Sequence, residues 1–422
     1  MSEATDLRLR SPRTRALAVV FAAGAVGCMA DAGPGAVPLA EVRDSAGITI
    51  VENPALGAEV DLGWSLDSVP LLDVGTLEGP PETQLYRVVD AQRLSDGGVA
   101  VLNAGTAEVR IFSADGRHRA TLGRRGGGPG EFMAPGGLHP WSGDSLAVWD
   151  ARGRRITVFG PDGSMGRILS LPMTDGGLPR TLSHRLPGGE LAALSFDLLG
   201  DAPQNGYRRV PVQVEHLDAE GRPVADLGTV PGNETLMTIA GERVSLINLP
   251  FARRFVVAPH GAETLVAPTD RLELRFFGTE GDLVRIVRVA QPPRLTTDED
   301  RRAELERRLA NAPEESHPAL RTSFREHPGS DTLPAFVAVL DDALGDTWVR
   351  TFRSPADTGP DRWIVLRQDG TARGVVSLPA PIDVFEIGAD WILGGWTDDL
   401  DVERVRMWRL RRDDAMRMGP RG

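Results

Sequence analysis

Residue types that perform catalysis are scattered along this chain of 422 residues instead of being grouped. Its seven histidines are nowhere close-paired, whereas a metal site needs convergent His, Cys or carboxylate ligands. Four of these histidines adjoin predicted turns or strand ends, which favours surface positions. No Gly-x-Ser-x-Gly motif presents a nucleophilic serine, and the glycine-rich residues 126–130 lack the Lys-Ser/Thr pair of a phosphate loop. We therefore predict no catalytic residue, no metal and no cofactor.

The only cysteine, Cys28, has a different chemistry available to it. Four arginines precede residue 16, and residues 16–27 form a charge-free run that is too short to span a bilayer, which needs about 20 apolar residues. The small residues Ala25, Val26 and Gly27 before Cys28 resemble a bacterial lipobox, in which the cysteine is lipidated. We predict a signal peptide over 1–27, lipidation at Cys28 and a flexible tether over 28–43. The alternative is an ordinary signal peptide with an incidental cysteine.

The charge balance excludes one class of partner. The formal net charge is −12, and all 47 basic residues are Arg. Binding of nucleic acid needs a net basic face toward the phosphates, so we predict no nucleic-acid partner. A local arginine cluster remains compatible with a smaller anion.

Repeated turns indicate how the chain is organised. Five alternating apolar segments each end three residues before an acid–glycine pair, whose glycine suits the positive φ of a hairpin turn. These pairs are Asp115-Gly116, Asp162-Gly163, Glu220-Gly221, Glu280-Gly281 and Asp369-Gly370. A further glycine turn precedes each unit, and a sixth such turn follows the last one. The first glycines of these six turns are Gly97, Gly143, Gly188, Gly261, Gly345 and Gly388.

The spacing of the six turns predicts a β-propeller. Successive spacings are 46, 45, 73, 84 and 43 residues, and a period near 45 is that of a four-stranded blade. The two long intervals imply insertions. Because the sixth unit lacks its second turn, its outermost strand must come from elsewhere, and Ile48–Val51 or Val69–Val74 are the two candidates. Thr297 and the acidic residues after it predict one short helix in a Pro-rich insertion over 295–330.

The segment from Gly123 to Phe132, followed by Pro135-Gly136-Gly137-Leu138, resembles the opening of an NHL repeat. The whole of 44–411 is similar to the bacterial six-bladed β-propeller lipoprotein family, whose members begin with a segment like Asp44-Ser45-Ala46-Gly47-Ile48. Asn103 departs from the pattern, because an Asp like Asp150 is usual there. The resemblance implies a fold and a cellular location, and no catalytic signature comes with it.

We therefore predict an all-β, six-bladed β-propeller of four-stranded antiparallel blades over 44–412. An N-terminal strand closes its ring, one short helical insertion interrupts it, and a disordered tail occupies 413–422. The resemblance and the lipobox together predict a monomeric lipoprotein, on the periplasmic or the cell-surface side of the outer membrane.

Two functions are left open. The first is a non-enzymatic binding or scaffold module for a peptide, glycan or envelope protein, because a propeller gathers loops from every blade at one mouth. Candidate contacts are Arg253, Arg254 and Arg350, which suit paired hydrogen bonds, and Trp396, which suits stacking on a ring. The alternative is a divalent-metal hydrolase of the lactonase type, to which Asn103 and Asp150 are candidate contributors. The competing explanation of both residues is that they cap turns.

Overall fold

The computed structural model describes residues 39–197, 205–240, 243–398 and 400–412. Strands dominate these residues, and two α-helices interrupt them. The N-terminal strands are β1 (Glu41–Ser45), β2 (Ile48–Asn53), β3 (Ser65–Leu66) and β4 (Leu72–Val74). No helix within the described ranges is long and apolar enough to cross a bilayer.

The other strands form six sheets within the described residues. Sheet 1 contains β5 (Val88–Arg93), β6 (Val99–Asn103), β7 (Glu108–Phe112) and β8 (His118–Leu122). Sheet 2 contains β9 (Pro135–Pro140), β10 (Leu146–Asp150), β11 (Arg155–Phe159) and β12 (Met165–Ser170). Sheet 3 contains β13 (Arg180–Arg185), β14 (Leu191–Phe196), β15 (Gly206–Leu217), β16 (Pro223–Ala240) and β17 (Arg243–Asn248).

The remaining three sheets are built in the same way. Sheet 4 contains β18 (Phe255–His260), β19 (Glu263–Pro268), β20 (Glu273–Phe277) and β21 (Leu283–Val289), extended by β2 and β1. Sheet 5 contains β22 (Phe336–Asp341), β23 (Thr347–Thr351), β24 (Asp361–Leu366) and β25 (Ala372–Leu378). Sheet 6 contains β26 (Asp383–Ile387), β27 (Trp391–Thr397) and β28 (Glu403–Arg411), with β3 and β4 beside β28.

The connections between strands lie at two opposite ends of the sheets. Tight turns join the first strand to the second and the third to the fourth, and antiparallel pairing places all of them at one end, which we call the turn end. The second-to-third connections and the links between sheets lie at the opposite end, the loop end. The glycines of the five acid–glycine pairs have φ between 79° and 87°, which confirms the predicted positive φ of the repeated turns.

Each central strand is buried on both faces because it serves two cores. In β6 the side chains of Ala100 and Leu102 pack with residues of sheet 2, whereas Val99 and Val101 pack with residues of sheet 6. One apolar cluster lies between each pair of successive sheets, and another joins sheet 6 to sheet 1. The first strands also contact one another in that order, and β26 contacts β5.

Carboxylates join first strands that belong to different sheets. Asp90 Oδ2 accepts a hydrogen bond from the Leu138 N–H at 3.0 Å, which links sheets 1 and 2. Glu386 Oε2 accepts from the Arg93 N–H at 2.8 Å, which links sheets 6 and 1. Burial raises the pKa of Asp90 to about 7, although N–H groups of Leu138 and Ala91 act in the opposite direction. Burial also raises the pKa of Glu386 above its usual range.

The N-terminal segment follows the outer edges of three sheets. Strand β2 pairs in parallel with β21 of sheet 4, and the Leu62 N–H donates to the Val375 carbonyl of sheet 5 at 2.8 Å. Strand β4 then pairs with β28 of sheet 6. Of the two segments predicted to supply the outermost strand of the last unit, Leu72–Val74 pairs there and Ile48–Asn53 pairs with sheet 4 instead.

The two long intervals hold different insertions. In sheet 3 the hairpin of β15 and β16 extends beyond the sheet and is followed by β17. Between sheets 4 and 5 lie α1 (Asp298–Ala310) and α2 (His317–Glu326). Thr297 caps α1 in a capping box with Asp300, so the predicted start of this helix is confirmed. The prediction of a single helix is wrong, because Pro318 lies in the first turn of α2, where proline is tolerated.

Candidate functional site

Three adjoining cavities open at the loop end beside the helical insertion. The helix pocket, of about 410 Å³, lies between α1 and the starts of sheets 4 and 5. The loop pocket, of about 620 Å³, lies between the second-to-third connections of those two sheets. The hairpin pocket, of about 420 Å³, lies beside the extended hairpin of sheet 3. These volumes fall within the range of roughly 300–1,000 Å³ that is usual for small-molecule sites.

The helix pocket combines an apolar wall with a cationic rim. Phe251 and Phe352 contribute rings that meet edge to face, with their centres 6.3 Å apart. The rim consists of four arginines and one carboxylate, namely Arg254, Arg307, Arg308, Arg353 and Glu304. A pocket of this kind suits a ligand that has an apolar body and an anionic group.

Helix α1 positions two of these arginines through a buried carboxylate. Glu304 Oε2 accepts from Arg307 Nε at 2.8 Å, and Glu304 Oε1 accepts from Arg308 Nε at 2.7 Å. Burial alone would raise the pKa of Glu304, but the two arginines outweigh it and hold the pKa below its usual range. Glu304 is therefore charged at neutral pH, and one negative charge orients two positive ones.

The other two arginines of the rim differ in how they are held. Arg353 Nε donates to Asp361 Oδ1 at 2.8 Å, and this carboxylate is buried. Arg254 holds its place through its backbone, since its N–H donates to Thr269 Oγ1 at 2.8 Å. The exposed Arg254 guanidinium has no hydrogen bond or ion pair with any other residue in the described ranges, so it is free to meet a ligand.

The loop pocket continues this cationic surface. Four arginines and two aspartates line it, namely Arg271, Arg294, Arg353, Arg362, Asp270 and Asp357. Arg294 Nη2 lies 3.2 Å from Asp357 Oδ2, and Arg362 donates to the Leu56 carbonyl. Leu56 thus brings the N-terminal segment to the wall of this pocket.

The hairpin pocket contains Arg208, Arg209 and Arg253 together with Glu234 and Asp331. Glu234 accepts two hydrogen bonds from Arg253. Its Oε2 accepts from the Arg253 backbone N–H and its Oε1 accepts from Arg253 Nε, both at 2.8 Å. Arg209 Nη1 donates to Asp270 Oδ1 at 2.7 Å. Its Nη2 is buried without a hydrogen-bond partner among the described residues.

The three pockets are positive in a protein that is negative overall. Ten arginines and five carboxylates line them, whereas the whole chain carries −12. Oppositely charged ligands concentrate where one sign of charge lines a concave, low-dielectric wall. The arrangement therefore favours anions.

The structure brings two of the predicted contact residues together and leaves the others apart. Arg253 and Arg254 line adjoining pockets of the loop end. Arg350 is held by the buried Asp361 and lies 3.5 Å from Asp383. Trp396 is half-buried in β27, with the Arg406 guanidinium 5.4 Å from its ring centre. Arg307, Arg308 and Arg353 were not among the predicted contacts; the Arg-Arg pair in a predicted helix was the available signal for the first two.

Asn103 and Asp150 occupy equivalent positions and have equivalent partners. Each is fully buried at the end of the second strand of its sheet. Asn103 Oδ1 accepts from the Tyr86 N–H at 2.7 Å, and Asp150 accepts from the N–H groups of Met133 and Ala134 at 3.0 and 2.8 Å. Each side chain thus holds the segment that leads into the first strand of its own sheet.

Three histidines contradict the expected surface positions, since His184, His216 and His260 are buried. Thr264 Oγ1 lies 3.2 Å from His184 Nε2 and 2.8 Å from His216 Nε2. Burial lowers the pKa of His184 to about 3 and lowers that of His216 too. No group of three or more His, Cys, Asp or Glu side chains in the described part of the chain is placed to hold a metal.

Comparisons with known proteins concern the fold. No protein-family model and no curated protein matches the chain. A crystal structure from Bacteroides fragilis, provisionally described as an exported protein, matches with a TM-score of 0.51 and 11% identity over 86% of this chain and 99% of its own. A DUF4221 family member from Bacteroides vulgatus reaches 0.48 with 10% identity, over 82% and 98%. Virginiamycin B lyase from Staphylococcus aureus reaches 0.38 with 10% identity, over 82% and 99%.

At sequence identities this low, structural similarity is evidence for the fold only. Four-stranded antiparallel sheets that contact one another through their first strands agree with that likeness. The chain has a β-propeller fold.

Proposed function

We propose that this protein is an exported, lipid-anchored, six-bladed β-propeller that binds an anionic ligand at its loop end. The ligand carries carboxylate or phosphate groups, and the protein acts as a binding module rather than an enzyme.

The contacts between sheets support the architecture in this proposal. Successive sheets share apolar cores, and the contact of β26 with β5 is what a closed ring of six blades requires. Pairing of β4 with β28 supports closure by the N-terminal segment, which covers an edge that would otherwise be exposed. The lipid anchor is supported by the sequence around Cys28, which lies outside the described residues.

One observation carries the binding function: Arg254 presents an exposed guanidinium, without a protein partner in the described ranges, at the rim of an arginine-lined pocket. Guanidinium groups match carboxylate and phosphate with two parallel hydrogen bonds, which makes arginine suited to recognise them. The neighbouring arginines are oriented by Glu304 and Asp361, so they add positive potential without needing to move.

The metal-dependent alternative lacks comparable support. Its candidate residues Asn103 and Asp150 direct oxygens at backbone N–H groups of their own sheets. A cation there would have to compete with these hydrogen bonds.

Isothermal titration calorimetry with inorganic tripolyphosphate and with a hexaglutamate peptide tests the binding function. At least one probe should bind, and Arg254→Ala should weaken it about ten-fold or more, since a hydrogen bond to a charged group contributes about 1.5–3 kcal/mol. Arg119→Ala is the matched control, because Arg119 is a half-exposed arginine of β8 that pairs with Asp96 away from the pockets. Equal affinity in the two variants, or no binding of either probe, refutes the proposal.

A further inference from the structure

The chain enters the fold at the loop end. Strand β21 runs toward that end, and β2 lies parallel to it, with Asn53 opposite Val289. Strand β1 is antiparallel to β2 and pairs Glu41 with Glu52, so Glu41 also lies at the loop end. Any tether from Cys28 therefore joins the same end of the molecule as the three arginine-lined pockets.

The point of entry is next to the pockets. Arg288 Nη1 joins Glu52 at 2.7 Å, and the Ala290 N–H donates to the Asn53 carbonyl at 2.9 Å. The following residues, Ala55 and Leu56, line the loop pocket. Cys28 precedes the first described residue, Leu39, by 11 positions. Covalent chain geometry alone therefore keeps Leu39 within about 40 Å of that cysteine.

The two ends of the propeller differ in what they would show to a membrane. The turn end carries the acidic residues of the five repeated turns, Asp115, Asp162, Glu220, Glu280 and Asp369, and two of them pair with arginines of their own turns, Arg117 and Arg222. The loop end carries the arginine-lined pockets, and beside them Leu39, Leu295 and Tyr207 are 96%, 71% and 60% exposed. Anionic membranes attract exposed arginines and repel carboxylates, and apolar and aromatic side chains favour the headgroup region.

We propose that the arginine-lined pockets bind the phosphate groups of net-anionic lipid headgroups in the membrane in which the protein is anchored, so that the loop end faces the bilayer. This inference rests on the proposed function and assigns its anion to the lipid surface. Arg254 is the headgroup contact in the helix pocket, and the half-buried arginines around it supply the attraction.

Single-cysteine reporters measure this orientation, because Cys28 is the only cysteine and its sulfur is bonded to lipid in the anchored protein. Asp331→Cys places a thiol in the lining of the hairpin pocket, and Asp115→Cys places one at the turn end; each removes one exposed carboxylate. The lipidated proteins carry a donor fluorophore on this thiol. They are reconstituted in phosphatidylcholine vesicles, with or without 30% phosphatidylglycerol, whose headgroups carry an acceptor.

Energy transfer from position 331 should exceed transfer from position 115 in the anionic vesicles. That difference should shrink in pure phosphatidylcholine, with Arg254→Ala, and when tripolyphosphate is added. Equal transfer from both positions in anionic vesicles overturns the inference, and so does a difference that is independent of lipid charge. If tripolyphosphate binds in calorimetry while transfer from the two positions is equal, the lipid assignment falls and the proposed function stands.

Discussion

Arg412, the last described residue, joins three parts of the fold. Its guanidinium carbon lies 4.6 Å from the ring centre of Trp64 and 5.6 Å from that of Trp348. Nη2 donates to Asp342 Oδ2 at 2.8 Å and to the Gly388 carbonyl at 3.0 Å. The side chain of Asp342 is 0% exposed and that of Arg412 is 13% exposed. Replacing Arg412 with alanine therefore leaves a buried carboxylate without its cation.

The magnitude follows from what remains around that carboxylate. Removing one partner of a buried ion pair costs about 3–5 kcal/mol. Asp342 keeps a hydrogen bond from Trp348 Nε1 at 2.9 Å and two from backbone N–H groups, so the lower end of the range applies. We expect Arg412→Ala to lower the free energy of unfolding by about 3 kcal/mol. The loss of two cation–π contacts acts in the same direction.

The neighbouring residue provides the control. Arg411 pairs with Asp67, but its side chain is 55% exposed, so Arg411→Ala should cost only about 0–1 kcal/mol. Urea unfolding followed by far-ultraviolet circular dichroism compares the two variants with the parent protein. A difference of less than 1 kcal/mol between the variants refutes the reasoning. Arg412→Lys keeps the charge and loses the planar stacking group, so an intermediate loss keeps the test informative if the alanine variant does not fold.

Two further predictions concern the buried histidine and the anchor. The folded-state pKa of His184 is about 3 and its usual value is 6.5, so below pH 6.5 the unfolded chain binds a proton that the folded protein does not. Its contribution to stability should thus fall by about 2.3 kcal/mol between pH 6.5 and 4.5, because the unfolded imidazole is already half protonated at pH 6.5. His184→Gln should flatten this part of the pH–stability curve measured by urea unfolding, and an unchanged slope contradicts the burial of a neutral imidazole. For the anchor, Cys28→Ser should move the protein from the membrane to the soluble fraction after detergent-free lysis, and unchanged fractionation would show that the thiol is not the attachment point.

The repeated turns were predictable because they are local. An acidic residue and a glycine that follow an alternating apolar segment favour a hairpin turn, so Gly116 and Gly370 could be assigned without knowing their neighbours in space. The destination of the N-terminal strands was not local. Ile48–Val51 and Val69–Val74 are both short apolar segments, and only the exposed edges of β21 and β28 decide which strand each one pairs with.

The candidate site was predictable only in part, for a related reason. Arg253 and Arg254 could be chosen because they precede a first strand, which places them at the loop end of any propeller. Arg307 and Arg308 belong to an insertion, and the period of the repeat says nothing about where an insertion lies. The burial of His184 depends on Thr264, which is 80 positions away in sequence. No pattern within β13 indicates that a hydroxyl lies opposite it.

Physical constraints explain why the three pockets, the insertions and the entry of the N-terminal segment all lie at one end. The turn end contains hairpins whose length sets the register between paired strands, and one extra residue there would turn each side chain to the opposite face. Connections at the loop end set no such register, because they join different sheets or cross between strands that other contacts already align. Extra chain is therefore tolerated there, as with α1, α2 and the long hairpin of sheet 3. Because the N-terminal segment enters at the same end, the surface that is free to vary is also the surface where the chain enters the fold.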